Sequence, residues 1–334
     1  MKGNARSKIK IILAFFFTVA AIIILFFIAV NTGGLKTTIS QLFKGLFFEY
    51  DKTVAIILEL RFPRVIVALL GGALMAVSGV LMQAVMKNPL ADPGIIGISS
   101  GATLASVLVS VLFPSFSAFT PVFSFLGGMI AFVLVYVLAW NGGISPVRLI
   151  LVGIAVDAVF TGLYKAFDAM TGGTYSGAAS IINANISLKT WNDVKILVFY
   201  TIVAFILCFL IAGKCNLLSL SDQTVHGLGI NIGRTRLLVS IISVLFASVF
   251  TAIIGTVSFL GLIVPHIARL LVGSDHKVLI PYSALLGSFI FLLADTVGRG
   301  IAYPYEISSS IIMAVIGGPM FIILLKRSRN IYGT

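Results

Sequence analysis

Residues 237–272 read LLVSIISVLFASVFTAIIGTVSFLGLIVPHIARLLV, 36 residues that carry a single formal charge, on Arg269. As one helix this stretch would be about 54 Å long, nearly twice the roughly 30 Å of a bilayer's hydrocarbon core. It therefore reads as two helices, 237–256 and 258–272, with Gly255, Gly261 and Pro265 as the places where a helix can break. How this stretch divides decides whether the chain crosses a membrane an odd or an even number of times.

That it crosses at all follows from composition. Only 10% of the 334 residues are charged and 59% are hydrophobic, where soluble domains carry about 25% charge. The surface of a soluble domain cannot be built from so few charges. The fold class is all-α, a polytopic integral membrane protein. The remaining apolar stretches are 9–30, 62–86, 94–112, 119–140, 146–167, 195–213, 278–300 and 307–326. The first of them imitates a signal peptide, but its apolar run of 20 residues exceeds the roughly 7–15 of a signal h-region. With the divided stretch this makes ten transmembrane helices in one transmembrane domain covering 1–334.

Charge agrees with an even number. Lys2, Arg6, Lys8 and Lys10 crowd one end, and Lys326, Arg327 and Arg329 the other. The positive-inside rule expects both termini in the cytoplasm. With ten spans, Lys and Arg divide 14 inside to 9 outside, while seven acidic residues fall outside and three inside. Trp140 and Trp191 fall at span ends, as interfacial aromatics do. A net charge of +12 invites a nucleic-acid reading, but the basic residues are scattered between apolar runs, which fits membrane topology and no nucleic acid. Two similar four-span blocks, 62–167 and 237–326, would suit a transporter built on an inverted repeat.

The longest polar interruption in the hydrophobic part of the chain, 218–236, reads LSLSDQTVHGLGINIGRTR. Ser219 or Ser221 can cap a short helix with Asp222 in its first turn. Gly227 or Gly229 would end that helix, and Asn231 can cap the next. The segment is thus a compact cytoplasmic knob. Its glycines miss both the dinucleotide fingerprint and the P-loop spacing, so this chain is not expected to bind nucleotide. A second cluster, KNPLADPGIIGISSGA at 87–102, holds Asn88, Pro89, Asp92, Pro93 and Gly94 and forces a cytoplasmic turn, with Asp92 as cap and Gly97 and Gly101 allowing close helix approach. Arg61 and Arg64 open the second span on the outer side, where basic residues run against the bias and call for anionic partners. Arg299 reaches the same side with Asp295 one turn before it. Cys208 and Cys215 read as packing thiols, and His226, His266 and His276 occur singly, without metal-ligand spacing. Asp157 lies mid-span, where a carboxylate is costly and faces water or a partner. Lys165 and Asp168 follow it toward the outer mouth. No catalytic constellation stands out.

Taken together, LRFPRVIVALLGGALMAVSGVLMQAVMKNPLADPGIIGISSGA (60–102), SLSDQTVHGLGINIGRTR (219–236), GTVSFLGLIVPHIARLLVGSDHKVLIP (255–281) and LLADTVGR (292–299) resemble the membrane permeases of type II ABC importers for iron–siderophore complexes, haem and vitamin B12. The resemblance implies a permease dimer, with an identical or related second subunit and a path between subunits near the fifth span. It implies two copies of a separate ABC ATPase, which bind ATP and Mg2+ and grip the coupling segment containing Ser221, Asp222, Gly227, Gly229, Arg234 and Arg236. It also implies an extracytoplasmic binding protein docked on Arg61, Arg64 and Arg299. This chain itself would hold no cofactor, sit in the cytoplasmic membrane and catalyse nothing. Ferric siderophore is the expected cargo, with haem or vitamin B12 as alternatives. An ion-coupled secondary transporter using Asp157 is the rival reading.

Overall fold

The computed structural model describes residues 2–33, 37–48, 50–139, 146–172 and 176–332, whose regular structure is entirely helical. In chain order the helices are α1 (Lys2–Asn31), α2 (Ile39–Phe47), α3 (Lys52–Leu60), α4 (Phe62–Met86), α5 (Ile98–Leu112), α6 (Thr120–Ala139), α7 (Pro146–Met170), α8 (Ser176–Ile182), α9 (Trp191–Leu218), α10 (Asp222–Gly227), α11 (Ile232–Ile254), α12 (Leu260–Val272), α13 (His276–Ile301) and α14 (Ser309–Tyr332). Each expected apolar stretch falls on one of these helices. Seven helical stretches among the described residues are long and apolar enough to cross a membrane: α1, α3 with α4, α6, α7, α9, α11 and α13. The apolar helices α5 and α12 and the apolar part of α14 are shorter. Trp191 opens α9, whereas Trp140 lies outside the described residues.

The stretch 237–272 does divide. Helix α11 stops at Ile254 and α12 starts at Leu260. Gly255 adopts φ 104°, and a β-carbon there would collide with the Ile181 carbonyl, so only glycine can make this turn. Phe259 is also left-handed, at φ 68°, a conformation that costs a bulky residue free energy. Its ring is held against Gly317 and, at 6.1 Å, Phe321 of α14. Inside α12, Pro265 lacks the N–H that would bond the Gly261 carbonyl. Gln83 Nε2 of α4 approaches that carbonyl instead, at 3.4 Å.

Helices α4 and α11 are buried on nearly every face, as their all-round apolar sequences require, while α1, α7 and α9 expose most of theirs. Around that centre the two four-helix blocks repeat one pattern of neighbours. α4 packs on α13 as α11 packs on α6, α5 packs on α6 as α12 on α13, and α12 packs on α4 as α5 on α11. At the crossing of α4 and α11 the exchange is reciprocal: Ser78 Oγ donates to the Ser243 carbonyl at 2.6 Å, and Ser243 Oγ donates to the Ser78 carbonyl at 2.8 Å. Backbone-to-backbone approach closes the other crossings. Gly72 lies on Gly287, and Gly101 on Gly127. Lipid gives helices no hydrophobic reason to associate, so such close packing supplies much of the attraction.

On the side of the α1–α4 connection two short helices form a unit of their own. Thr38 caps α2 through Gln41 N–H. Asp51 caps α3 through Thr53 and Val54 N–H and also accepts from Gln41 Nε2 at 2.7 Å.

Candidate functional site

The segment after α9 folds as its capping residues dictate. Ser221 Oγ accepts from Thr224 N–H at 3.2 Å and opens α10, which runs to Gly227. Gly229, at φ 72°, turns the chain, and Asn231 Oδ1 accepts from Arg234 N–H at 3.0 Å to open α11. The knob is anchored by Val225, which is buried, while Ser221, Gln223, Thr224, His226, Leu228 and Arg234 face outward. Arg236 is half-buried one turn into α11. The knob touches the neighbouring turn, because Lys87 Nζ donates to the Leu220 carbonyl.

That turn carries Asn88, Pro89, Asp92, Pro93 and Gly94. Lys87 ends α4 in the left-handed region, and Asn88 Oδ1 accepts from Leu90 N–H at 3.0 Å. Asp92 Oδ1 accepts from Gly94 and Ile95 N–H at 2.7 and 3.3 Å. Asp92 was expected to open the next span near residue 94. It caps a separate turn instead, and α5 begins only at Ile98, after Gly97 at φ 83°. The delay has a cause: Ile95 and Gly97 are pressed against Gly153 and Asp157 of α7, and the backbone must bend around them.

Asp92 is fully buried, with Oδ2 against Gly261 at the start of α12. The nearby Leu262 amide is committed to the Phe259 carbonyl at 3.1 Å. Burial pushes the Asp92 carboxyl up to about 6, against the opposing pull of the Gly94, Ile95 and Leu262 N–H groups. A carboxyl whose folded value lies above its unfolded one stabilises fully below about pH 4, and that stability is lost as pH rises through about 6. The loss over the whole window is about 3 kcal/mol at 1.36 kcal/mol per pH unit. Thermal unfolding of Asp92→Asn, measured from pH 4 to 7, is expected to lack this slope and to match the acid-side stability of the wild type.

At the other end of the molecule the three arginines meet. Arg64 is 6% exposed and clasps Asp295, with Nη2 at 2.8 Å and Nε at 3.1 Å from the carboxylate. Its Nη1 reaches Glu306 Oε2 at 2.8 Å, which also accepts from Ser187 Oγ at 2.6 Å. Arg299, 4% exposed, pairs with Asp295 at 3.3 Å and donates to the Ala29 carbonyl at 2.9 Å. Arg61 is half-buried and donates to the Val30 carbonyl at 2.7 Å. Burial pushes the Glu306 carboxyl up, but the Ser187 hydroxyl and the Arg64 guanidinium hold it below the usual carboxylate range. The anionic partners expected for Arg64 and Arg299 are thus inside the chain. Of this cluster, Arg61 and Glu306 are the accessible members. Cavities of about 350 and 230 Å³ open onto it.

Asp157 is half-buried on α7, beside Ser100 of α5. Lys165, two turns along, is exposed, and Asp168 is half-buried near the end of the helix. Cys208 and Cys215 are buried and unbonded to each other. Among the described residues no three His, Cys, Asp or Glu side chains are placed to share a metal ion.

A model of the FecCD transport family matches residues 21–327. The chain belongs to the FecCD transport family. A relative, the probable heme-iron transport system permease protein IsdF of Staphylococcus aureus strain bovine RF122 / ET3-1, is 38% identical over 304 residues, covering 91% of this chain and 92% of that one. IsdF of strain Newman is 37% identical over the same span. Among solved structures, a chain described as an inward-facing metal-chelate type ABC transporter aligns with a TM-score of 0.75 at 29% identity, covering 95% of this chain and 99% of its own. PsaBC from Streptococcus pneumoniae, in complex with Fab, aligns at 0.57 and 16% identity and shares the fold. This FecCD chain is therefore a multi-pass protein of the cell membrane and an ABC importer permease. Membership sets aside the ion-coupled reading of Asp157. Sequence reasoning missed Glu306 and Ser187 as members of the outer cluster, because each lies more than a hundred residues from the group it binds.

Proposed function

We propose that this permease carries a ferric siderophore inward, powered by a separate ATPase that grips residues 218–236 and supplied by an extracytoplasmic binding protein. The ten apolar helices cross the membrane with both termini in the cytoplasm, and a second permease, identical or related, completes a path along α7, where Asp157, Lys165 and Asp168 meet cargo. The observation that carries this reading is the knob. It is a capped helix with one buried anchor, rigidly joined to two long helices and tied through Lys87 to the α4–α5 turn. A lever of this kind transmits the approach and separation of nucleotide-driven subunits, whereas a connecting loop would not need two side-chain caps. Ser221, Asp222, Gly227, Gly229, Arg234 and Arg236 shape its contact with the ATPase. ATP and Mg2+ bind there and not on this chain.

In the cluster of Arg61, Arg64 and Arg299, the accessible Arg61 receives acidic side chains of the binding protein, while Arg64 and Arg299 are held by Asp295 and shape the surface beneath it. Pairing of this sort sets encounter rate and orientation more than affinity. A second reading, haem as cargo, draws on the heme-iron permeases at 38% identity. Reconstitution of the permease with its ATPase and binding protein separates the two. Ferric siderophore is expected to stimulate ATP hydrolysis and uptake where haem does not. The reverse result transfers the cargo to haem, and uptake that persists without any ATPase overturns the reading altogether.

A further inference from the structure

Between α9 and α13, at the end of the molecule that carries the knob, lies a cleft of about 540 Å³ lined by Phe205, Cys208, Phe209, His276, Lys277 and Pro281, among others. Its chemistry changes along its length. Lys277 lines the cleft and is exposed, and Lys214, also exposed, follows the lining residue Gly213 on α9. Moving inward, the walls are hydrocarbon. Phe205, Cys208 and Ile280 close the inner end of the cleft, and beyond them, toward Thr201 and Ala284, only about 10 Å³ of free space remains.

One polar group at the cationic end lacks a hydrogen-bond partner among the described residues, and a second loses its usual helical one. His276 is 4% exposed and lines the cleft. Its Nδ1 is engaged by Asn216 Oδ1 at 2.8 Å, an acceptor, so Nδ1 carries the proton and Nε2 is left as a buried acceptor without a partner. Pro281, also in the wall, has no N–H, so the Lys277 carbonyl loses its helical donor. The nearby Asp275 accepts from Asn216 Nδ2 and Lys277 N–H through Oδ1, at 2.7 and 3.0 Å. Phe209, at the open side of the cleft, is 87% exposed on a face that lipid must cover.

We propose that this cleft binds an anionic phospholipid with a hydroxylated headgroup. The phosphate lies at the cationic end by Lys277 and Lys214, a headgroup hydroxyl donates to His276 Nε2, and an acyl chain lies along Phe205, Phe209 and Ile280 within the cleft itself. Basic pockets between membrane helices select anionic headgroups in this way. A peptide segment would be a poor occupant, because its backbone would meet the hydrocarbon wall with its hydrogen bonds unmet.

The test uses the full-length protein purified in detergent, with added phosphatidylglycerol or phosphatidylcholine, read by native mass spectrometry and by thermal shift. Phosphatidylglycerol is expected to be retained at least about tenfold better than phosphatidylcholine, a preference of roughly 1.4 kcal/mol, and to raise the Tm. Lys214→Glu with Lys277→Glu should abolish the preference, and Cys208→Trp should reduce retention of both lipids by filling the cleft. Equal retention of the two lipids by the wild type, or an unchanged preference in the double lysine variant, overturns the proposal. Gly213→Cys, at a position with open space around it, covers the remaining case. A disulfide-linked dimer formed through it, in a background with Cys208 and Cys215 replaced by alanine, would give the cleft to a second copy of the chain and also overturn the assignment.

Discussion

An Asp295→Ala variant is expected to lose about 3–5 kcal/mol of stability, the usual cost of removing one partner from a buried ion pair. Asp295 is 1% exposed and pairs with both Arg64 and Arg299. Its removal leaves two buried guanidinium groups close together, with Glu306 at hydrogen-bond distance from Arg64. The comparison that isolates this effect is Glu306→Ala. Glu306 is exposed, and an exposed pair is worth at most about 1 kcal/mol. Thermal unfolding in detergent should rank wild type, Glu306→Ala and Asp295→Ala in that order, with the large gap before the last. Equal stability of the two variants would mean that the cluster is wet and loosely coupled. The same reasoning redirects docking experiments. An Arg64→Glu change would place a third carboxylate beside Asp295 and Glu306 and damage the fold, so Arg61→Glu is the informative substitution for contact with a binding protein.

The second large effect is steric. A β-carbon on Gly79 would fall on the backbone of Gly261, closer than any real contact. Neither backbone has a side chain that could move aside. Gly79→Val therefore has to separate α4 from α12 and break the approach of Gln83 to the Gly261 carbonyl. Overpacking typically costs 1–3 kcal/mol, and because the two helices are also driven apart the expectation is about 3 kcal/mol or more. Folded protein recovered after detergent extraction should fall several-fold. Gly213→Ala, on a face with nothing within reach of the new methyl, should leave the yield unchanged. Normal recovery of Gly79→Val would show that α12 can shift without penalty.

Much of the architecture was legible because helices are local objects. The apolar runs, the break after Ile254, the Ser221 and Asn231 caps and the left-handed Gly229 are each decided by residues within a turn or two of one another. The Asp295–Arg299 pair was legible for the same reason, being one helical turn apart. What could not be read were encounters across the chain. Arg64 finds Asp295 231 positions away, and nothing in either neighbourhood announces the other. The late start of α5 was hidden too, because Asp92 and Pro93 make a good helix opening locally and only the pressure of α7 on Ile95 and Gly97 delays it. Of the coupling segment, the shape was legible in the caps. The hydrogen bond from Lys87 was not, since it joins residues 133 apart.

The separation of Arg64 from its carboxylates has a consequence for biogenesis. The ribosome adds about 5–20 residues per second, so Arg64 waits roughly 10–50 s for Asp295 to be made, and Glu306 follows later still. During that interval the second long hydrophobic segment must be held with an unpaired guanidinium near its end, in water at the bilayer surface or in the insertion machinery. The end of the nascent permease that holds Arg64 can therefore close only after α13 has been delivered, which makes synthesis of the last quarter of the chain the step that seals the first.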